Sequence, residues 1–158
     1  MPGLRSLNGA GEVSRLSLSS SGAGPSAPGE PAATILLLDD DTTTLLVLHA
    51  VLERTQARII ECEAEPCALR WCQELSSKID LLVSDVVLEY SNGPAVVRKA
   101  RPLQPLMKLL YISGYSLPEL QRRGLLFTDE MVPGDVEFLQ KPFSPEQFLG
   151  TVSRLLIH

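Results

Sequence analysis

Three acidic residues, Asp39, Asp40 and Asp41, follow directly on the apolar run Ile35-Leu36-Leu37-Leu38. Other reactive groups hold the same position elsewhere. Asp85 ends Ile79-Asp80-Leu81-Leu82-Val83-Ser84, Ser113 ends Leu109-Leu110-Tyr111-Ile112, and Lys141 follows Val136-Glu137-Phe138-Leu139-Gln140. Carboxylates gathered in one place repel one another and stay ionised cheaply only beside a cation. Hard oxygen donors of this kind suit Mg²⁺. A single Asp after such a run reads as the cap of the next helix. Three in a row bring a divalent-cation site level with that reading. An acid, a hydroxyl and a lysine at three further strand ends move the balance toward the cation site.

These groups need a scaffold that brings strand ends together. Apolar runs of this length read as strands buried on both faces, which means a parallel sheet, and in such sheets sites form beyond the carboxyl ends of the strands. The pattern predicts strands near 34–39, 58–62, 79–84, 107–112 and 136–140. Helices are expected over 42–54, 65–77, 94–101, 117–127 and 145–157, with Leu45, Leu48, Val51 and Leu52 forming the apolar stripe of the first. A loop joins Asp85 to Gly93, and an irregular stretch runs from Thr128 to Asp135. Strand and helix alternating five times calls for a sheet covered on both faces.

The chain has 158 residues and a formal net charge of −5. The acidic balance argues against direct contact with nucleic acid, which favours a basic face. No apolar run approaches the ~18 residues needed to cross a bilayer. The start, Met1-Pro2-Gly3-Leu4-Arg5, lacks the apolar core of a signal peptide. Residues 1–33 are rich in Ser, Gly, Ala and Pro and read as a flexible, low-complexity leader or linker, with one domain over 34–158. Cys62, Cys67 and Cys72 are five apart, a spacing that fits no common zinc pattern. They read as reduced thiols of a cytoplasmic protein.

Taken together, the segments Leu-Leu-Leu-Asp-Asp-Asp, Leu-Leu-Val-Ser-Asp-Val-Val-Leu, Leu-Tyr-Ile-Ser-Gly-Tyr and Phe-Leu-Gln-Lys-Pro-Phe resemble the receiver domain of two-component response regulators. The wording of the last two is most like receivers attached to hybrid sensor histidine kinases. The resemblance runs from Thr34 to the C-terminus. It implies a doubly wound, five-stranded parallel sheet of flavodoxin-like (βα)₅ type with strand order 2-1-3-4-5. It implies Asp85 as phosphoacceptor, since a carboxylate can act as nucleophile toward phosphorus. It implies Mg²⁺ held by Asp39, Asp40, Asp85 and the backbone carbonyl of Val87. Lys141 and Ser113 would contact the phosphoryl group, and Phe138 would be the aromatic that turns inward when Ser113 moves. The implied function is phosphorelay signalling rather than enzyme catalysis. The implied partner is a histidine kinase or a histidine phosphotransfer protein, with no membrane contact. The face formed by the fourth helix, fifth strand and fifth helix would carry the switch and any weak homodimer.

Two features depart from the family pattern. Glu89 stands where a proline usually follows the phosphoacceptor, and the segment between Ser113 and Lys141 is longer than in compact receivers. Two rival readings compete. Asp39-Asp40-Asp41-Thr42-Thr43 also fits a haloacid-dehalogenase-like phosphohydrolase, with Asp39 as nucleophile and Asp41 as general acid. That reading leaves Asp85 without a role and lacks a further acidic pair after Lys141. A non-phosphorylated pseudo-receiver is the other, but such modules usually lose an acid or the lysine, and all are present here.

Overall fold

A computed structural model describes Gly29 and Pro31 to Ile157. Among these residues, strands and helices alternate in the order β1 (Thr34–Leu38), α1 (Thr42–Leu52), β2 (Arg58–Cys62), α2 (Glu65–Glu74), β3 (Leu81–Asp85), α3 (Gly93–Ala100), β4 (Lys108–Ser113), α4 (Leu117–Arg122), β5 (Val136–Gln140) and α5 (Pro145–Leu156). The strands form one parallel sheet in the order β2-β1-β3-β4-β5. The expected fold class is the observed one. The leader expected over 1–33 lies outside the described residues, apart from Gly29 and Pro31 to Ala33.

The apolar runs become strands because both sheet faces are covered. Side chains alternate between faces along a strand. Leu36, Leu38, Leu82, Leu109 and Tyr111 enter a core with Ala68 and Cys72 of α2, Val96 and Val97 of α3 and Leu120 of α4. Ile35, Leu37, Leu81, Val83, Leu110 and Ile112 enter a second core with Leu45 and Leu48 of α1 and Phe148 and Val152 of α5. A central strand with no polar face leaves its polar residues for its ends. This is why the reactive groups collect at one edge of the sheet.

Helix starts are set by local chemistry. Asp41, Asn92, Ser116 and Ser144 cap α1, α3, α4 and α5, each side chain accepting a backbone N–H of the first turn. Helix ends are where expectation and structure part. α4 stops at Arg122 instead of 127, because Gly124 takes φ of +69° and closes the turn. α2 stops at Glu74, and Ser77, with φ of 58°, turns the chain toward Leu103. The third strand begins at Leu81 and includes Asp85. Within the irregular stretch, Thr128–Glu130 make one 3₁₀ turn.

The cysteines need a correction. Cys62 and Cys67 are disulfide-bonded, and Cys72 is free and buried. The odd number of cysteines and their spacing point to free thiols in the sequence, but only four residues separate Cys62 from Cys67. The chain reverses between the end of β2 and the first turn of α2, and that reversal places the two Cα atoms 5.5 Å apart. This lies within the ordinary disulfide range.

Candidate functional site

The strand order reverses between β1 and β3, the neighbours on which a crevice opens in doubly wound sheets. Asp39 follows β1 directly, and Asp85 is the last residue of β3. Ser113 ends β4, and Lys141 follows β5. Lys141 must reach across β4, about two strand spacings or ~10 Å, to meet Asp85. Its Nζ lies 3.2 Å from Asp85 Oδ2 and 3.3 Å from Asp39 Oδ2. The next peptide bond, Lys141–Pro142, is cis. The backbone N–H of Lys141 donates to the carbonyl of Ser113 at 2.8 Å, which ties the lysine's loop to the end of β4.

The three consecutive aspartates do three different things. Asp39 is almost fully buried; its N–H donates to the Cys62 carbonyl, and its Oδ1 accepts the N–H of Asp41 at 2.9 Å. Asp40 is exposed, and its Oδ2 accepts the N–H of Glu89 at 2.7 Å. Asp41 points to the helix and caps α1 through the Thr43 N–H and the Thr44 hydroxyl. Thus one residue of the acidic run takes the cap, and the other two group with Asp85. Asp41, which the phosphohydrolase alternative needs as general acid, is occupied at the helix end.

Asp39, Asp40 and Asp85 each offer a carboxylate oxygen within 4.8 Å of the others. A single ammonium, Lys141, meets two of the three. Burial pushes the Asp85 carboxyl above its ordinary pKa, and the Lys141 charge offsets only part of this. Burial likewise raises Asp39, against the Asp41 N–H and Lys141. For Lys141, burial works against the charge, but Asp85 and Asp39 overcome it and hold the ammonium above its ordinary pKa. The donor set is therefore oxygen-rich, crowded and short of positive charge, which suits a hard divalent cation. Asp85 Oδ1 also accepts the Val87 N–H at 3.2 Å. Val87 bridges to Asn92 through Gly93 N–H to Val86 carbonyl and Leu88 N–H to Ser91 carbonyl, so the bridge uses the carbonyls of Val86 and Ser91 and not that of Val87.

Ser113 is buried, and its hydroxyl accepts the Tyr115 N–H at 3.1 Å. Phe138 is half-buried in β5, in register with Tyr111 of β4 and packed on the core under α2, α3 and α4. It is a peripheral member of that core.

One residue that positions the site was not singled out from the sequence. A Cβ on Gly93 would lie 2.6 Å from the Asp85 carbonyl oxygen and 2.9 Å from Ser84 Oγ. Only glycine lets α3 begin so close behind the end of β3. The available signal was Ser91-Asn92-Gly93-Pro94, which announces a capped helix start but not the proximity of its backbone to Asp85. Ser91 is the second such residue. Its hydroxyl donates to Glu65 Oε1 at 2.7 Å, and Lys99 Nζ meets Glu65 Oε2 at 2.5 Å. These contacts fasten the β3–α3 loop to α2, where the usual proline is absent.

The chain is 35% identical over 91 residues to the sensor kinase CckA of Brucella abortus (strain 2308). That match covers 56% of this chain and 9% of the kinase, so this chain spans a small part of that relative. Among solved structures it resembles the receiver domain from the hybrid histidine kinase CckA, with 26% identity, TM-score 0.64, and coverage of 78% of this chain and 99% of that one. It also resembles a response regulator receiver protein from Sinorhizobium medicae WSM419, with 32% identity, TM-score 0.65, and coverage of 79% and 94%. The family model of the response regulator receiver domain matches residues 35–153. That span begins one residue into β1 and ends within α5, enclosing every strand end that contributes to the acidic crevice, and the chain belongs to the response regulator receiver domain family.

Proposed function

We propose that this chain, over 34–158, is a phospho-accepting receiver of a two-component phosphorelay. Asp85 is the phosphoacceptor. One of its carboxylate oxygens attacks the phosphorus of a phosphohistidine on the partner. The P–N bond breaks as the O–P bond forms, and the imidazole leaves. The observation that carries this reading is the placement of Asp85 at the end of β3, 3.2 Å from Lys141 and within 4.8 Å of the Asp39 and Asp40 carboxylates.

Asp39, Asp40, Asp85 and the Val87 carbonyl would hold Mg²⁺, whose charge neutralises the oxygens of the transferring group. Lys141 holds Asp85 and Asp39 before reaction and moves to a phosphoryl oxygen afterwards. Ser113 exchanges its Tyr115 N–H contact for one in which its hydroxyl donates to the phosphoryl group. That movement draws the β4–α4 loop inward, and Phe138 follows it, altering the face of α4, β5 and α5. A histidine kinase or histidine phosphotransfer protein supplies the group, and the α4–β5–α5 face is where a weak homodimer would form. Among the described residues no helix is long and apolar enough to cross a membrane. We place the domain in the cytoplasm, on its own or as part of a hybrid kinase.

Incubation with acetyl phosphate and Mg²⁺, followed by mapping of the acid-labile, hydroxylamine-sensitive acyl phosphate, tests this. Label is expected on Asp85 and is lost in Asp85→Asn. Wild-type labelling of Asp85→Asn refutes the assignment, and label on Asp39 favours the phosphohydrolase alternative.

A further inference from the structure

The Cys62–Cys67 bond lies at the foot of the acidic crevice. Cys62 closes β2, is almost fully buried, and gives its carbonyl to the Asp39 N–H at 3.1 Å. Cys67 stands in the first turn of α2 and lines a surface cavity of ≈ 700 Å³ with Thr42, Thr43 and Glu63. The bond encloses residues 63–66, and among them is Glu65. Glu65 accepts from Ser91 in the β3–α3 loop and from Lys99 in α3. The bridged segment therefore touches the site from two sides: through the Asp39 backbone and through the loop that carries Val87 and Glu89.

We propose that Cys62 and Cys67 form a reversible redox pair whose oxidised state orders the β2–α2 turn and, through Glu65, the β3–α3 loop. A bridge across so short a loop removes little freedom from the unfolded chain, so its contribution to global stability is at the low end for disulfides. Its effect is local. In a reducing compartment, disulfides that do occur are mostly transient and redox-sensing. Geometry fixes the direction of attack. An incoming small-molecule thiolate reaches the Cys67 sulfur from the cavity, and the buried Cys62 sulfur is the leaving group. A second thiol then resolves the mixed disulfide. In sum, the protein disulfide and two thiols give two cysteine thiols and one small-molecule disulfide, a transfer of two electrons and two protons. Reoxidation by peroxide converts the two thiols to the disulfide and releases two waters. Cys72 is not a competitor: it is buried in the core, and burial raises its thiol pKa, which keeps it protonated and unreactive.

Thiol counting and amide NMR on the metal-free, unphosphorylated protein test this without reliance on the phosphorelay reading. After mild peroxide treatment, alkylation under denaturing conditions should modify one cysteine, and after dithiothreitol three. Three alkylated cysteines after peroxide overturn the proposal. Reduction should shift and speed the exchange of the Glu63, Ala64 and Glu65 amides, and also those of Ser91 and Asn92. Cys67→Ser should give the reduced spectrum with or without dithiothreitol, whereas Cys72→Ser should respond like wild type. A reduction response confined to Cys62, Cys67 and their immediate neighbours, with Ser91 unmoved, overturns the coupling to the loop. If the coupling holds, reduction should also weaken Mg²⁺ binding by about three- to tenfold, tenfold being ~1.4 kcal/mol. Unchanged Mg²⁺ binding despite a moving Ser91 removes any effect on the cation site, and no Mg²⁺ binding in either state counts against the receiver reading alone.

Discussion

The backbone of Gly93 lies against the carbonyl of Asp85, so close that a methyl group on Gly93 would stand 2.6 Å from that oxygen. The contact joins the first residue of α3 to the last residue of β3. It determines where the Asp85 side chain emerges, because the peptide behind it cannot retreat. The Ser84 hydroxyl donates to the same carbonyl at 2.8 Å and fills the remaining space.

Gly93→Ala is therefore expected to cost about 1–3 kcal/mol, the usual range for forcing extra volume into a packed site. The clash is with backbone oxygen, so relief requires α3 or the end of β3 to shift. Thermal unfolding should show the loss, and Mg²⁺ titration should show weaker binding because the Asp85 carboxylate moves with its main chain. A variant with unchanged melting temperature and unchanged Mg²⁺ response would show that the start of α3 yields freely.

The crowded carboxylates give a pH-dependent stability. Burial raises the folded pKa of Asp85 above its ordinary value of 3.8. The folded state thus binds the proton more tightly than the unfolded state. Stability is greatest, on this account, below the unfolded value, and it falls as pH rises toward and through the raised folded value. At neutral pH the ionised side chain therefore destabilises the metal-free fold. Asp85→Asn should raise the metal-free melting temperature at pH 7, and the gap over wild type should narrow as pH falls toward 4. Mg²⁺ should stabilise wild type and do much less for the variant. Equal melting temperatures at pH 7, with equal responses to Mg²⁺, would contradict the picture.

Glu65 behaves with the opposite sign. Hydrogen bonds from Lys99 and then Ser91 hold its carboxyl below its ordinary value of 4.5. Its contribution is present above the unfolded value and is lost as pH falls through the depressed folded value. Lys99 is largely exposed, so Glu65→Gln should cost only about 0.2–1 kcal/mol of global stability. Its effect on the β3–α3 loop should be larger in relative terms, with faster amide exchange at Leu88, which donates to the Ser91 carbonyl. Unaltered exchange there would show that the Val87–Asn92 bridge holds the loop unaided.

Much of this could be read from the sequence, for a physical reason. A strand covered on both faces is written as a continuous apolar run, and any polar group at its end stands out. Asp39, Asp85, Ser113 and Lys141 were visible in this way, and so was the parallel sheet. Features that depend on distance between segments were not visible. Gly93 matters because of a carbonyl eight residues earlier in a folded-back loop. Cys62 and Cys67 meet because a turn reverses between them. The end of α4 depends on one left-handed residue, Gly124, inside an otherwise helical pattern. Asp40 and Asp41 look alike in sequence, and only the hydrogen bonds from Glu89 and Thr43 separate site from cap.

The lifetime of the phosphorylated state should follow from two side chains at the rim. Val87 and Tyr115 lie two positions after Asp85 and Ser113, respectively. Hydrolysis of an aspartyl phosphate needs water in line with the leaving carboxylate. Val87 has no group to orient such a water. Tyr115 is bulky and exposed at the rim, and the Arg123 guanidinium stacks over its ring, 4.4 Å from the centroid. That contact holds the ring at the β4–α4 junction by a cation–π attraction of about 0.5–1 kcal/mol. The phosphorylated protein should therefore lose phosphate slowly, over minutes or longer. Val87→Asn combined with Tyr115→Ala should speed release at least about tenfold, which needs only ~1.4 kcal/mol off the barrier. Arg123→Ala should have a smaller effect in the same direction, since it frees the ring without removing it. Phosphate-release kinetics after removal of the donor measure all three. A wild-type half-life of seconds, unchanged in the double variant, would mean that water reaches the site by another route and that neither side chain governs the decay.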